Sequence, residues 1–201
     1  MNREKNQMTS RLLAIGGSLA ARSLTSALLQ QACAIAEEFG ASTECLAVTR
    51  LQLDMFAPDT TTASDPRVAR LLSAVSAADV VFLASPLYGG TPSGAVKNIL
   101  DTLHLGKDGS IGPLSRKRCA VATVGGGALN GSYSFQRGGT GTLDIACKNL
   151  GAWVDPRHLE FSELHFDTDS NLHDAVSRDQ LRSGVRRLLA VTLARAEVVS
   201  R

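Results

Sequence analysis

Apolar and polar positions in this chain follow two alternating periods. Short unbroken apolar runs mark strands buried on both faces. Between them, apolar residues recur every three or four positions, as on helices. Arg11-Leu-Leu-Ala-Ile-Gly16 is the first such run; Leu24, Leu28, Ala32, Ile35 and Phe39 then keep helical spacing until Gly40. Thr43–Val48 predicts a second strand, and residues 50–66, rich in Asp, Thr, Ser and Pro, predict a long surface connection. Arg67–Ala78 returns to a helical period through Val68, Leu71, Leu72 and Val75. Val80-Val-Phe-Leu-Ala84 is the plainest strand, ended by Ser85-Pro86, and a helix follows over Gly94–Leu103. A fourth strand, Arg118–Val124, stops at Gly125-Gly126-Gly127 and gives way to a polar, glycine-rich stretch, 125–141. Leu143–Leu150 predicts a helix, Ala152–Phe161 a fifth strand interrupted by Pro156, and Ala175–Val198 a last helix.

Five apolar strands alternating with helices predict an α/β domain: a parallel sheet covered on both faces, joined by right-handed crossovers. With five strands around one core, the order 2-1-3-4-5 is the expected doubly wound solution. Ligands of such sheets bind outside the carboxyl ends, where the order switches between strands 1 and 3. No internal repeat or linker divides the chain, so residues 11–201 read as one domain behind a flexible lead, 1–10, with Met8 an alternative start.

Composition narrows the function. The 201 residues are 44% apolar and 20% charged, close to a globular average, in a length that suits a single core. Lys and Arg total 21 against 19 Asp and Glu, and the net charge of +2 with 4% aromatic residues does not suit a nucleic-acid binder. No run of about 18 apolar residues predicts a membrane span, and the polar start is unlike a signal peptide, so the expected location is cytoplasmic. Cys33, Cys45, Cys119 and Cys147 form no C-x-x-C pair and neighbour no histidine, and no metal site is expected; Cys33 and Cys119, inside apolar runs, read as small reduced hydrophobes. His104, His158, His165 and His173 are scattered and read as ordinary surface or loop residues.

The loops at the predicted switch point are unusual. After strand 1, Gly16-Gly17-Ser18 leads through Arg22 to Ser23 and Thr25, concentrating hydroxyls, one cation and free amides at a helix start. This suits a phosphate monoester. It is neither a Walker loop nor a G-x-G-x-x-G dinucleotide turn, and no G-x-S-x-G elbow occurs. After strand 3, Pro86, Leu87, Tyr88, Gly89 and Gly90 offer backbone amides along which a flat ring can lie. Gly125, Gly126 and Gly127 are expected on the same edge. One phosphate loop and two ring loops point to a mononucleotide with a planar, electron-carrying ring.

These motifs resemble the NADPH-dependent FMN reductases of the flavodoxin-like fold, which include the flavin suppliers of two-component monooxygenases. Gly17-Ser18 with Ser23 and Thr25 is similar to the family's phosphate loop. Ser85-Pro-Leu-Tyr-Gly-Gly-Thr-Pro-Ser-Gly-Ala-Val-Lys97, with Asp101 after it, is similar to its longer second motif. The resemblance implies that Ser18, Arg22, Ser23 and Thr25 hold the FMN phosphate. It implies that Pro86, Leu87, Tyr88, Gly89 and Gly90 line the ring and ribityl chain, and that Gly125–Gly127 close the site. Lys97 and Asp101 are implied to be structural or interfacial. Many relatives carry Glu and Asn where this chain has Leu87 and Gly89, the former closer to the sulfonate-linked branch. The polar segment Ser132–Thr140 is expected to reshape the nicotinamide side, and Arg22, Arg137 and Arg157 are candidates for a 2′-phosphate contact.

The implied activity is hydride transfer from NADPH or NADH to flavin, with no side-chain acid or base required and so no catalytic residue named. The reduced flavin is released, as to a flavin-dependent monooxygenase partner, or reduces a second acceptor. The alternatives are a quinone, azo-dye or metal-ion reductase with tightly held FMN, and a flavodoxin-type electron carrier. A homodimer or homotetramer is also implied.

Overall fold

The computed structural model describes residues 10–126 and 134–199. Strand β1 (Arg11–Gly16) leads to helix α1 (Leu24–Glu38) and strand β2 (Ser42–Ala47). One helical turn, α2 (Val48–Leu51), opens the connection to α3 (Pro66–Ala77). Strand β3 (Val80–Tyr88) turns back as β4 (Thr91–Pro92) before α4 (Gly94–Thr102) and β5 (Arg118–Gly125). Helix α5 (Ser134–Asn149), the short strands β6 (Trp153–Val154) and β7 (Leu159–Ser162), and α6 (Ala175–Val199) complete the chain.

The sheet runs β2-β1-β3-β5, and both β6 and β7 lie parallel along the outer edge of β5. Counting β6 and β7 as one interrupted strand gives the expected order 2-1-3-4-5. Alternating side chains build two cores. Leu12, Ala14, Phe82 and Ala84 face α1 and α6, whereas Leu13, Ile15, Val81 and Leu83 face the layer of α3, α4 and α5. Among the described residues no helix is long and apolar enough to cross a membrane.

Three boundaries differ notably from the sequence expectation, and the break expected at Pro156 is found. Strand β2 ends at Ala47 because Val48 begins α2, so the connection after it is not all irregular. The fifth strand is two pieces because Pro156 lacks a ladder donor; Asp155 turns the chain there, accepting from the Arg157 amide and pairing with Arg187 at 3.0 Å. Helix α5 begins at Ser134, well before Leu143, its first half disguised by three glycines. Strand β3 does not stop at Ser85-Pro86 but runs to Tyr88, with Ser85 and Pro86 paired to Thr123 and Val124 of β5.

Proline is tolerated inside β3 for a reason that matters to the site. The β1–β3 ladder ends where the Gly17 amide donates to the Ala84 carbonyl at 2.9 Å. Alternation along a parallel ladder puts the next donor at the nitrogen of Pro86, which carries no hydrogen. The two strands therefore part at this point, and the crevice between them opens.

Candidate functional site at the carboxyl edge of the sheet

The loop after β1 is shaped by two glycines in the left-handed region, Gly16 at φ +124° and Gly17 at φ +94°. A Cβ on Gly16 would stand 1.9 Å from the Ala84 carbonyl oxygen, so only glycine lets β1 approach β3 so closely. Ser18 follows, buried, its hydroxyl accepting from the Ala20 amide at 3.1 Å. Ser23 is the N-cap of α1 and accepts from the Ser26 amide at 3.0 Å, while Thr25 is buried in the first turn. The Ser23 cap serves one of the helix's orphan amides, leaving those of Leu24 and Thr25 without an intrahelical acceptor. That first turn contains no acidic residue, so the positive end of the helix is not neutralised from within.

Arg22, in the same loop, is exposed and donates to the Thr168 carbonyl at 3.3 Å, in the segment between β7 and α6. That bond uses one of the guanidinium's five donors. Arg157 lies elsewhere, exposed in the break between β6 and β7 and level with the middle of β5, not with its carboxyl end. The Arg137 side chain lies outside the described residues.

The second loop is a tight hairpin. Leu87 pairs with Pro92 and Tyr88 with Thr91, and Gly89 and Gly90 at φ +60° and +79° form the two-residue turn. Both centres need positive φ to match the strand twist, which glycine supplies without strain. Ser85 fixes the base of the hairpin, its hydroxyl donating to the Pro86 carbonyl and accepting from the Ser93 amide, each at 2.9 Å. Ser93 then caps α4. Tyr88 projects to the β1 side, 59% exposed, and its hydroxyl lies 3.1 Å from that of Ser18. Leu87 projects the opposite way, under α5, where its Cδ2 would stand 2.3 Å from a Cβ on Gly139. Leu87 therefore offers the crevice its backbone, not its side chain.

The third loop begins at Gly125, the last residue of β5, in register with Ser162 of β7. Gly126 is exposed next to it, and Gly127 lies outside the described residues. Thr140 of α5 is buried behind this edge and donates to a Glu160 carboxylate oxygen at 2.9 Å. Three residues that the sequence reading did not single out thus back the site: Gly139, Thr140 and Glu160. The helical spacing of Leu143, Cys147 and Leu150 was visible, but glycines at 138, 139 and 141 hid its continuation.

The perturbed ionisations lie outside the crevice. In the loop after β2, Asp65 is held down at about 2, chiefly by hydrogen bonds from the Arg67 side chain, which also pairs with Asp54 at 2.6 Å. Between α1 and β2, a hydrogen bond from Cys33 lowers the Cys45 thiol to about 7, while the Cys33 thiol is pushed up by the same bond and by burial. Cys45 is half-buried; Cys33, Cys119 and Cys147 are buried, and all four are free thiols. Lys97 and Asp101 form an exposed pair one turn apart on α4.

A capped helix start, a pair of glycines and a tyrosine hairpin thus meet at the switch point of a doubly wound sheet, the place where α/β proteins of this class bind their ligands. The model of the NADPH-dependent FMN reductases matches residues 10–137, and the chain belongs to that family of NAD(P)H-dependent oxidoreductases. No curated protein sequence matches the chain. Among solved structures, it is similar to the apo form of an NADH:FMN oxidoreductase, EmoB. The TM-score is 0.70 at 19% identity, covering 91% of this chain and 90% of that one. It is equally similar to FerB, a flavoenzyme NAD(P)H:(acceptor) oxidoreductase from Paracoccus denitrificans: TM-score 0.70 at 19% identity, covering 90% and 96%. Flavodoxin 1 from Bacillus cereus, with a TM-score of 0.60 at 13% identity over 90% and 98%, shares the fold, which is flavodoxin-like.

Proposed function

We propose that this enzyme is an NAD(P)H-dependent FMN reductase that binds the flavin in the crevice between the loops after β1 and β3. The observation that carries this reading is the convergence of Ser18 and Tyr88, which brings a phosphate-suited loop and a ring-suited hairpin to one opening. The residues fit a flavin mononucleotide. Ser18, Ser23 and Thr25 supply hydroxyls, the start of α1 supplies amides and a positive dipole end, and Arg22 supplies one charge for the phosphate. Pro86 to Gly90 present the ribityl chain and ring with backbone groups and one aromatic face, and Gly125 and Gly126 close the far side.

When bound, the flavin supplies the redox chemistry, hydride acceptance from NAD(P)H at N5 and onward electron delivery. The protein's part would be to bind the phosphate at Ser18, Ser23 and Thr25 and to offer the ring the backbone groups of Gly89 and Gly90. No acid or base from the chain is needed. The similarity to FerB supports a second reading, in which FMN stays bound and a quinone or other small acceptor is reduced in its place.

The test is a titration of flavin-free protein with FMN and with riboflavin, followed by flavin fluorescence. Saturable quenching with FMN preferred is the expected result. In the variant Ser23→Ala/Thr25→Ala, affinity falls by roughly 1–3 kcal/mol, as for hydrogen bonds lost to a charged group. Unchanged affinity would remove the phosphate assignment. Oxidation of NADPH against NADH, and retention of FMN on gel filtration, then separate released substrate, bound cofactor and simple electron carrier.

A further inference from the structure

Helix α5 carries Gly138, Gly139 and Gly141 in its first half, although glycine is disfavoured inside helices. A Cβ on Gly138 or Gly141 would meet nothing within 4 Å, so packing does not require glycine there. Gly139 differs. It is buried, and its Cβ would stand 2.3 Å from Cδ2, 3.2 Å from Cδ1 and 3.3 Å from Cγ of Leu87. The next residue, Thr140, is the one that donates to Glu160 of β7. Two consecutive residues therefore key α5 to two strands, one through a missing side chain and one through a hydrogen bond.

Leu87 is paired across the hairpin with Pro92 and immediately precedes the turn Tyr88–Thr91. Strand alternation sends Leu87 to the α5 side and Tyr88 to the crevice side. A push on Leu87 from α5 is thus transmitted along the backbone to the residues that face the ligand. The Thr140–Glu160 bond keeps α5 from backing away.

We propose that Gly139 is a positioning residue for the ring-contacting hairpin: its bare backbone lets α5 seat on Leu87 and sets where Tyr88, Gly89 and Gly90 stand. The inference rests on the flavin-site reading for its consequence, but its physical content is the Gly139–Leu87 contact.

The experiment compares the wild type with Gly139→Ala, Leu87→Ala, their double variant and Gly141→Ala. It measures FMN affinity by fluorescence and, on flavin-free protein, amide hydrogen exchange at residues 88–91. Gly139→Ala is expected to raise the FMN dissociation constant about tenfold, the size of strain that overpacking ordinarily imposes, and to speed exchange in the turn. In the Leu87→Ala background the added methyl finds space, so the double variant matches Leu87→Ala on both readouts. Gly141→Ala stays at wild-type values. Wild-type affinity and exchange in Gly139→Ala would overturn the proposal, as would a loss that persists undiminished in the Leu87→Ala background. If Gly139→Ala alone does not fold, the double variant decides: a folded protein supports the contact and an unfolded one overturns it. If the wild type binds no FMN, the flavin reading fails by itself and the exchange measurement still decides the role of Gly139.

Discussion

The hydroxyls of Ser18 and Tyr88 lie 3.1 Å apart, although the two residues are 70 positions apart in the chain. One belongs to the loop after β1, the other to the hairpin after β3. Their contact spans the opening that Pro86 leaves between the two strands. Ser18 also holds the Ala20 amide, so its hydroxyl serves two partners while that of Tyr88 reaches an exposed edge. Ser18→Ala therefore costs more than Tyr88→Phe: about 1–2 kcal/mol against about 0.5 kcal/mol. Urea unfolding of both variants checks the ranking, and the reverse order would show that the bridge does not organise the loop.

Among the described glycines Gly16 leaves the least room for a side chain. Alanine there would place its Cβ against the Ala84 carbonyl oxygen at a backbone angle of φ +124°. Overpacking and backbone strain add, so Gly16→Ala is expected to lose about 3 kcal/mol or more. Soluble yield and thermal unfolding report the loss. A variant as stable as the wild type would mean that β1 and β3 part more easily than their ladder indicates.

Arg67 clamps the loop after β2 by bonding Asp54, Asp65 and the Gln52 carbonyl. Asp65 is held at about 2, below the unfolded value of about 3.9. A depressed carboxyl stabilises the fold in full above the unfolded value and loses that contribution as pH falls through the folded one. The clamp is thus unaffected between neutral pH and about 5, and it fails between about 4 and 2. Acid titrations of the wild type and Asp65→Asn, followed by circular dichroism, are expected to differ at neutral pH and converge near pH 2. A constant gap down to that pH would rule the clamp out.

Cys45 is expected to be the most reactive of the four thiols. Its ionisation near pH 7, favoured by the Cys33 hydrogen bond and by the charge of Arg50, coincides with partial exposure. Brief alkylation at pH 7.5 with mass-spectrometric mapping is expected to label Cys45 ahead of Cys33, Cys119 and Cys147. Labelling of Cys33 first would show that the α1–β2 contact opens in solution.

Much of the fold was legible because both of its periods are physical necessities. Val80-Val-Phe-Leu-Ala84 is apolar throughout because the strand is covered on both faces, and α1 repeats every three or four residues because one stripe is buried. The cap at Ser23 and the turn after Tyr88 were legible because cap and turn chemistry is local. What escaped depended on tertiary context. Pro86 reads as a terminator unless the end of the neighbouring ladder is known. Gly139 reads as loop because the reason for its bareness, Leu87, lies 52 positions away in the chain. The hairpin was signalled by Gly89-Gly90 between Tyr88 and Thr91, but the strand that returns from it is only two residues long.

Pro86 also bears on how association is driven. The gap between β1 and β3 exists because a ring nitrogen cannot donate, so entry of a ligand breaks no sheet hydrogen bond. The parting is written into the ladder itself, which ends at Gly16 and Ala84 with the Gly17 amide on the Ala84 carbonyl. The shape of this edge is thus preset by a covalent ring, settled when the chain is synthesised.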